Sequence, residues 1–162
     1  MESEINQFKS LVELRDYIKQ FDGFRARPIR DGEHPTLYRE DDTHNANTHG
    51  VRYRDYLFDV DGVWVLPHEQ KGLSFSGTWK HLSSVYKMFS RGVERTPDVY
   101  WVLSGADLPP GLKFEQDRSS SSKAKGHYFL TVTERMHVSQ LRQKLLWVAD
   151  RMQKITSGGK VL

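Results

Sequence analysis

A chain of 162 residues with 37% hydrophobic content is long enough for one compact core and too short for two domains of ordinary size. Lys and Arg outnumber Asp and Glu by 24 to 21, a surplus too small and dispersed for a general nucleic-acid surface, and the absence of cysteine excludes disulfides, thiol catalysis and thiolate metal sites. No window is apolar over the length needed to cross a bilayer and MESEINQFKSLVELRDYIKQF carries no signal-peptide stretch, so the expectation is one soluble domain over residues 1–162, acting in the cytoplasm.

In chain order, Ile5, Phe8, Leu11, Val12, Ile18 and Phe21 recur at helical spacing with Ser3 placed to cap them, which predicts an amphipathic helix over residues 4–21. The glycines and prolines of DGFRARPIRDGEHP predict a loop, TLYRE a short strand, and DDTHNANTHGVRYRD a long polar loop. YLFDV and VWVLP read as strands, the second closed by Pro67. In GLSFSGTWKHLSSVYKMFSRG the period changes. Leu73 and Phe75 alternate with Ser74 and Ser76, then Trp79, Leu82, Val85, Tyr86 and Phe89 follow helical spacing, with Thr78 placed to cap the helix and Gly92 to end it. DVYWVLSG is the clearest strand, ADLPPGL a turn-rich connection, and KFEQD and HYFLTV two strands joined by the serine tract, which reads as a hairpin loop rather than a domain linker. HVSQLRQKLLWVADRMQKI aligns Val138, Leu141, Leu145, Val148 and Met152 on one face of a last helix. Strands gathered between helices, without regular alternation, indicate the α+β class.

The short signatures of phosphate-binding loops, dinucleotide folds, zinc proteases and serine-nucleophile elbows are all absent. His44 and His49 lie in a polar loop beside Asp41 and Asp42 without the partner pattern of a zinc site, so no metal is expected. Arg39, Ser74 and His127 each stand at the edge of a predicted strand, where side chains can be held rigidly around a cleft.

The segment DVYWVLSGADLPPGLKFEQDRSSSSKAKGHYFLTV, with its strand, its ADLPPGLK connection, its QD and its HY after a polar loop, resembles the C-terminal half of the bacterial type VI secretion toxins called "type six exported, two", whose fold is similar to ADP-ribosyltransferases. LYR and GLS resemble earlier motifs of the same family. The resemblance covers roughly residues 35–150 and implies a core over residues 35–155 of mixed and antiparallel central sheets with flanking helices; the N-terminal helix, residues 1–22, is a departure from the family or an extension of it. It implies a toxin that uses NAD as substrate, breaks its nicotinamide–ribose bond and transfers ADP-ribose to a macromolecular acceptor. The family setting adds a monomer, export by a dedicated secretion system and a cognate immunity protein as partner.

Breaking that bond develops positive charge on the ribose, as in glycoside hydrolysis. Carried over from the family, Arg39 clamps the pyrophosphate through its planar fork, Ser74 bonds Arg39 or a ribose hydroxyl, and His127 bonds a ribose hydroxyl or deprotonates an acceptor. Tyr38, Ser76, Tyr128 and Gln116 complete the expected NAD contacts, with Phe75 and Trp79 as further ring-stacking candidates. Two departures stand out. Leu73 occupies the position where the family can carry a second hydroxyl, with Ser76 on the same strand face as Ser74, and the helix WKHLSSVYKMFSRG is better formed than in the family; the paired glutamates that many ADP-ribosyltransferases carry at the third motif are also missing, leaving Glu115, Gln116 and Glu134 as the nearest groups. Three alternatives follow: NAD hydrolysis without transfer, a non-enzymatic nucleotide- or protein-binding module, and an RNA-directed enzyme such as an RNA 2′-phosphotransferase, for which RARPIR and RYR would supply basic groups.

Overall fold

Three side chains start the three α-helices. Ser10 accepts from the Glu13 N–H ahead of α1 (Leu11–Ile18), Thr78 from the His81 N–H ahead of α2 (Trp79–Phe89), and His137 forms a capping box with Gln140 ahead of α3 (Val138–Arg151). The computed structural model describes residues 7–105 and 107–158, and the expected Ser3 cap and Ile5 lie outside them. The first helix is therefore shorter than its apolar pattern: Phe8 belongs to a strand, β1 (Gln7–Phe8).

Eleven further strands follow: β2 (Phe24–Ile29), β3 (Asn47–Thr48), β4 (Val51–Arg52), β5 (Leu57–Phe58), β6 (Trp64–Leu66), β7 (Leu73–Ser76), β8 (Asp98–Leu103), β9 (Leu112–Gln116), β10 (His127–Val132), β11 (Met136–His137) and β12 (Gln153–Ser157). Six of them join β1 in one sheet in the order β1-β12-β8-β2-β7-β10-β9, antiparallel except for the β1–β12 edge. Two small sheets, β11-β6-β5 and β3-β4, complete an α+β architecture. Along β8, Trp101 and Val102 point to opposite faces and enter separate cores. On one side Leu73, Leu130, Leu141 and Leu145 pack with α3; on the other Leu14, Ile18, Leu82 and Tyr86 pack α1 and α2 around Trp101 and Ala26. No helix among the described residues is long and apolar enough to cross a membrane.

Two sequence expectations are corrected around the sheet's centre. DGFRARPIRDGEHP is not wholly loop: Phe24–Ile29 forms β2, paired with β8 along its whole length and with β7 at Ala26 and Ser76. Its alternation is real, Phe24, Ala26 and Pro28 being buried, but the intervening arginines disguise it because their long stems lie along apolar surface. TLYRE, conversely, joins no sheet. Its Tyr38 N–H donates to the Gly50 carbonyl at 2.8 Å, and the Thr36 hydroxyl donates to the Leu145 carbonyl at 2.9 Å, so isolated contacts replace a ladder. The polar loop after it contains the β3–β4 hairpin, turned by His49 and Gly50 at φ 57° and 82°. A two-residue turn of this hand needs positive φ at both positions. Beyond α3, the unexpected β12 carries the chain back onto β8 and β1.

Candidate functional site

Strands β7 and β10 run antiparallel with His127 opposite Ser76 and Phe129 opposite Ser74. Ser74 and Ser76, two residues apart, share one face of β7. From its place at the start of β10 the His127 imidazole reaches diagonally to Ser74 Oγ through Nε2 at 2.9 Å and to Asp117 Oδ2 through Nδ1 at 2.7 Å. The Asp117 carboxylate can only accept, so Nδ1 donates to it, and the neutral ring then presents Nε2 as an acceptor for the Ser74 hydroxyl. The His127 and Asp117 side chains are 16% and 15% exposed, sheltered from bulk water but reachable.

Burial works against an ionised Asp117, yet the hydrogen bonds from His127 and from the Ser119 N–H outweigh it and hold this carboxyl below the usual range. The charged form is therefore the one that faces the imidazole at neutral pH. A second serine–histidine pair lies alongside: Ser76 Oγ meets His81 Nδ1 at 2.6 Å, and the His81 ring stacks on His127 with centroids 5.3 Å apart and planes at 21°. Burial, and after it the neighbouring His127, lower the His81 pKa, so this ring is neutral.

Both pairs open into a cleft of about 640 Å³ between β2, β7, one side of α2, the segment over residues 33–54 and the serine-rich hairpin. Arg27, Arg30, Arg52, Arg54 and Lys123 line it against Glu33 and Asp117, five cations to two carboxylates. Arg27 is braced by the Pro35 carbonyl at Nε and the Ser74 carbonyl at Nη1, 3.0 and 2.6 Å away. Arg52 is held by Asn45 and Asp55 and stands 4.7 Å over the Tyr38 ring. Arg30 stands 4.3 Å over Phe89, where Ile29, Val85 and Met88 make that end of the cleft apolar.

The residues singled out from sequence divide accordingly. Ser74, Ser76, His127, Tyr38 and Phe75 line the cleft. Arg39 does not: its side chain, 77% exposed, forms a two-point pair with Asp41 at 3.0 and 3.2 Å. With no strand to hold TLYRE at the sheet, this arginine is captured by the nearest carboxylate in its own loop. Tyr128 and Gln116 also lie elsewhere, Tyr128 beneath the Arg25 guanidinium at 3.8 Å and Gln116 on an exposed edge where its carbonyl accepts from Gln70. Glu115 pairs with Lys113 and Arg118, Glu134 is exposed, and Trp79 packs against the second core. Sequence reasoning gave no role to Asp117 or His81 and counted Arg27 only among the basic groups that RARPIR would supply to an RNA-directed enzyme. Asp117 ends a strand before a polar loop and His81 opens a helix just after Ser76, but only strand register brings either to the cleft. Among the described residues no three His, Asp or Glu side chains gather as metal ligands. Compared with family models, curated proteins and solved structures, the chain matches none.

Proposed function

We propose that this cleft binds NAD and breaks its nicotinamide–ribose bond, passing ADP-ribose to a macromolecular acceptor, as an ADP-ribosyltransferase-like toxin does. The observation that carries the reading is the coupling of an acceptor nitrogen, His127 Nε2, to five cations in one cleft. A dinucleotide needs both: cations for the pyrophosphate, and a base for the incoming nucleophile. The phosphate role moves from Arg39 to Arg27, whose guanidinium is already braced by two backbone carbonyls rather than neutralised by a carboxylate as Arg39 and Arg52 are. An arginine fixed before the ligand arrives has less side-chain freedom to lose on binding.

In this scheme nicotinamide departs as a neutral base while the acceptor hydroxyl forms the new bond to the ribose carbon. Its proton passes through the Ser74 hydroxyl to His127 Nε2, and Asp117 steadies the resulting imidazolium. The apolar end at Ile29, Val85 and Phe89 suits a base ring. An ADP-ribosyltransferase-like fold is supported by the short strand β7 running directly into α2 beside the cleft.

One observation favours a second reading. Serine, histidine and aspartate hydrogen-bonded in series at 2.9 and 2.7 Å also describe an acyl-transfer nucleophile, with Ser74 attacking a carbonyl. The cationic lining favours a pyrophosphate ligand over a neutral ester. Incubating the purified chain with NAD labelled in its adenylate half, in a cell lysate, separates the cases. Label on macromolecules supports transfer; free nicotinamide without label supports hydrolysis; cleavage of a p-nitrophenyl ester with NAD untouched would replace the proposal by acyl transfer.

A further inference from the structure

His81 lines the cleft beside His127, yet nothing in the scheme above uses it. Its tautomer follows from Ser76. That serine is 2% exposed, and among the described residues its hydroxyl has one partner, His81 Nδ1 at 2.6 Å. If Nδ1 carried the proton and donated, the buried hydroxyl hydrogen would be left without an acceptor, an arrangement that costs more than the hydrogen bond gains. Ser76 therefore donates to Nδ1, and the neutral ring carries its hydrogen on Nε2. Among the described residues Nε2 meets no partner and it is not sealed from solvent, which leaves its N–H open to the cleft.

The ring's position is fixed three ways. Its backbone N–H is tied to Thr78 Oγ1 at 3.2 Å in the first turn of α2, its Nδ1 is tied to Ser76, and its face rests on His127. A rigid neutral donor next to a rigid acceptor makes a paired recognition element. His127 Nε2 takes a proton, while His81 Nε2–H supplies a hydrogen bond without adding charge.

We propose that His81 is a ligand-contacting residue of this cleft, donating its Nε2–H to an oxygen of the bound dinucleotide next to the atom that His127 serves. This inference rests on the dinucleotide reading and adds a second imidazole with the opposite hydrogen-bonding role. A neutral hydrogen bond contributes about 1 kcal/mol, so losing the donor weakens binding on the order of tenfold or less.

The test has two arms. Long-range proton–nitrogen spectra of the ¹⁵N-labelled chain at neutral pH report which His81 nitrogen is protonated, with no need for activity. Calorimetric titration with ADP-ribose then compares wild type, His81→Ala and His81→Gln. The expected results are an Nε2–H tautomer whose signal shifts when ADP-ribose is added, affinity lowered about fivefold in His81→Ala, and partial recovery in His81→Gln, whose amide restores a donor at similar reach. An Nδ1–H tautomer, a charged ring, or unchanged affinity in His81→Ala while wild type binds overturns the inference and leaves the dinucleotide reading intact. If wild type binds neither ADP-ribose nor NAD, the dinucleotide reading and the ligand contact fall together.

Discussion

Asp117 and His127 are joined twice: the Asp117 N–H donates to the His127 carbonyl at 2.9 Å, and their side chains meet at 2.7 Å. The pair closes the serine-rich hairpin, so the residue that follows β9 and the first residue of β10 are aligned by backbone and side chain together.

Replacing Asp117 with Asn keeps the shape of this closure and removes its charge. Loss of a positioned base assembly costs about 10² to 10⁴ in rate, and Asp117→Asn is expected to lower kcat for NAD cleavage within that range. Circular dichroism should match wild type. Wild-type kcat in Asp117→Asn would show that the imidazole works without its carboxylate.

Stability should fall on mild acidification. Burial and the adjacent His127 lower the His81 pKa in the folded chain, whereas the unfolded chain binds a proton at this residue near the ordinary value of about 6.5. Folding stability from this source is present above that value and is lost as pH falls through the folded pKa. Urea unfolding of wild type and His81→Gln at pH 7.5 and 5.5 checks the sign, since Gln does not titrate. The variant should lose less stability than wild type between the two; an equal loss would remove His81 as the cause.

Gly126 has φ 87° and abuts Thr78, the hydroxyl that caps α2 at His81. A methyl group there is both conformationally strained and in collision with Thr78 Oγ1. Gly126→Ala should destabilise the chain by about 1–3 kcal/mol and broaden the His81 signals, because the cap and the site share one contact. Chemical denaturation measures the first effect and nitrogen-resolved spectra the second. A variant as stable as wild type would mean the hairpin gives way freely.

The two arginines that exchanged roles offer a direct contrast. Arg27→Ala removes a braced cation from the cleft and should raise KM for NAD by about tenfold or more, since charge-assisted bonds contribute roughly 1.5–3 kcal/mol. Arg39→Ala removes an exposed partner of Asp41 and should leave both KM and the melting temperature at wild-type values. Steady-state kinetics on both variants decides; the reverse ranking would return the phosphate role to Arg39.

How much of this was legible follows from where the information lies. α2 with its Thr78 cap, β7, β8, β9, β10 and α3 follow from local pattern because each carries its own periodicity or cap. β2 escaped because Pro28 and two arginines mimic a loop, and only pairing with β7 and β8 reveals the strand. TLYRE misled in the other direction, its β-forming residues finding no neighbour to pair with. The same limit governs the site. Ser74 and His127 could be singled out one at a time, while their hydrogen bond, the Asp117 carboxylate and the Ser76–His81 pair depend on the β7–β10 register, which spans more than fifty residues of sequence.

The central claim is that the Ser74–His127–Asp117 series in a cationic cleft breaks NAD. Time-resolved nicotinamide release from NAD by purified wild type, Ser74→Ala and His127→Ala tests it most directly. The expected result is steady release by wild type that falls at least about a hundredfold in His127→Ala and clearly in Ser74→Ala, with all three equally folded. No release by folded wild type, or release undiminished in both variants, would contradict it.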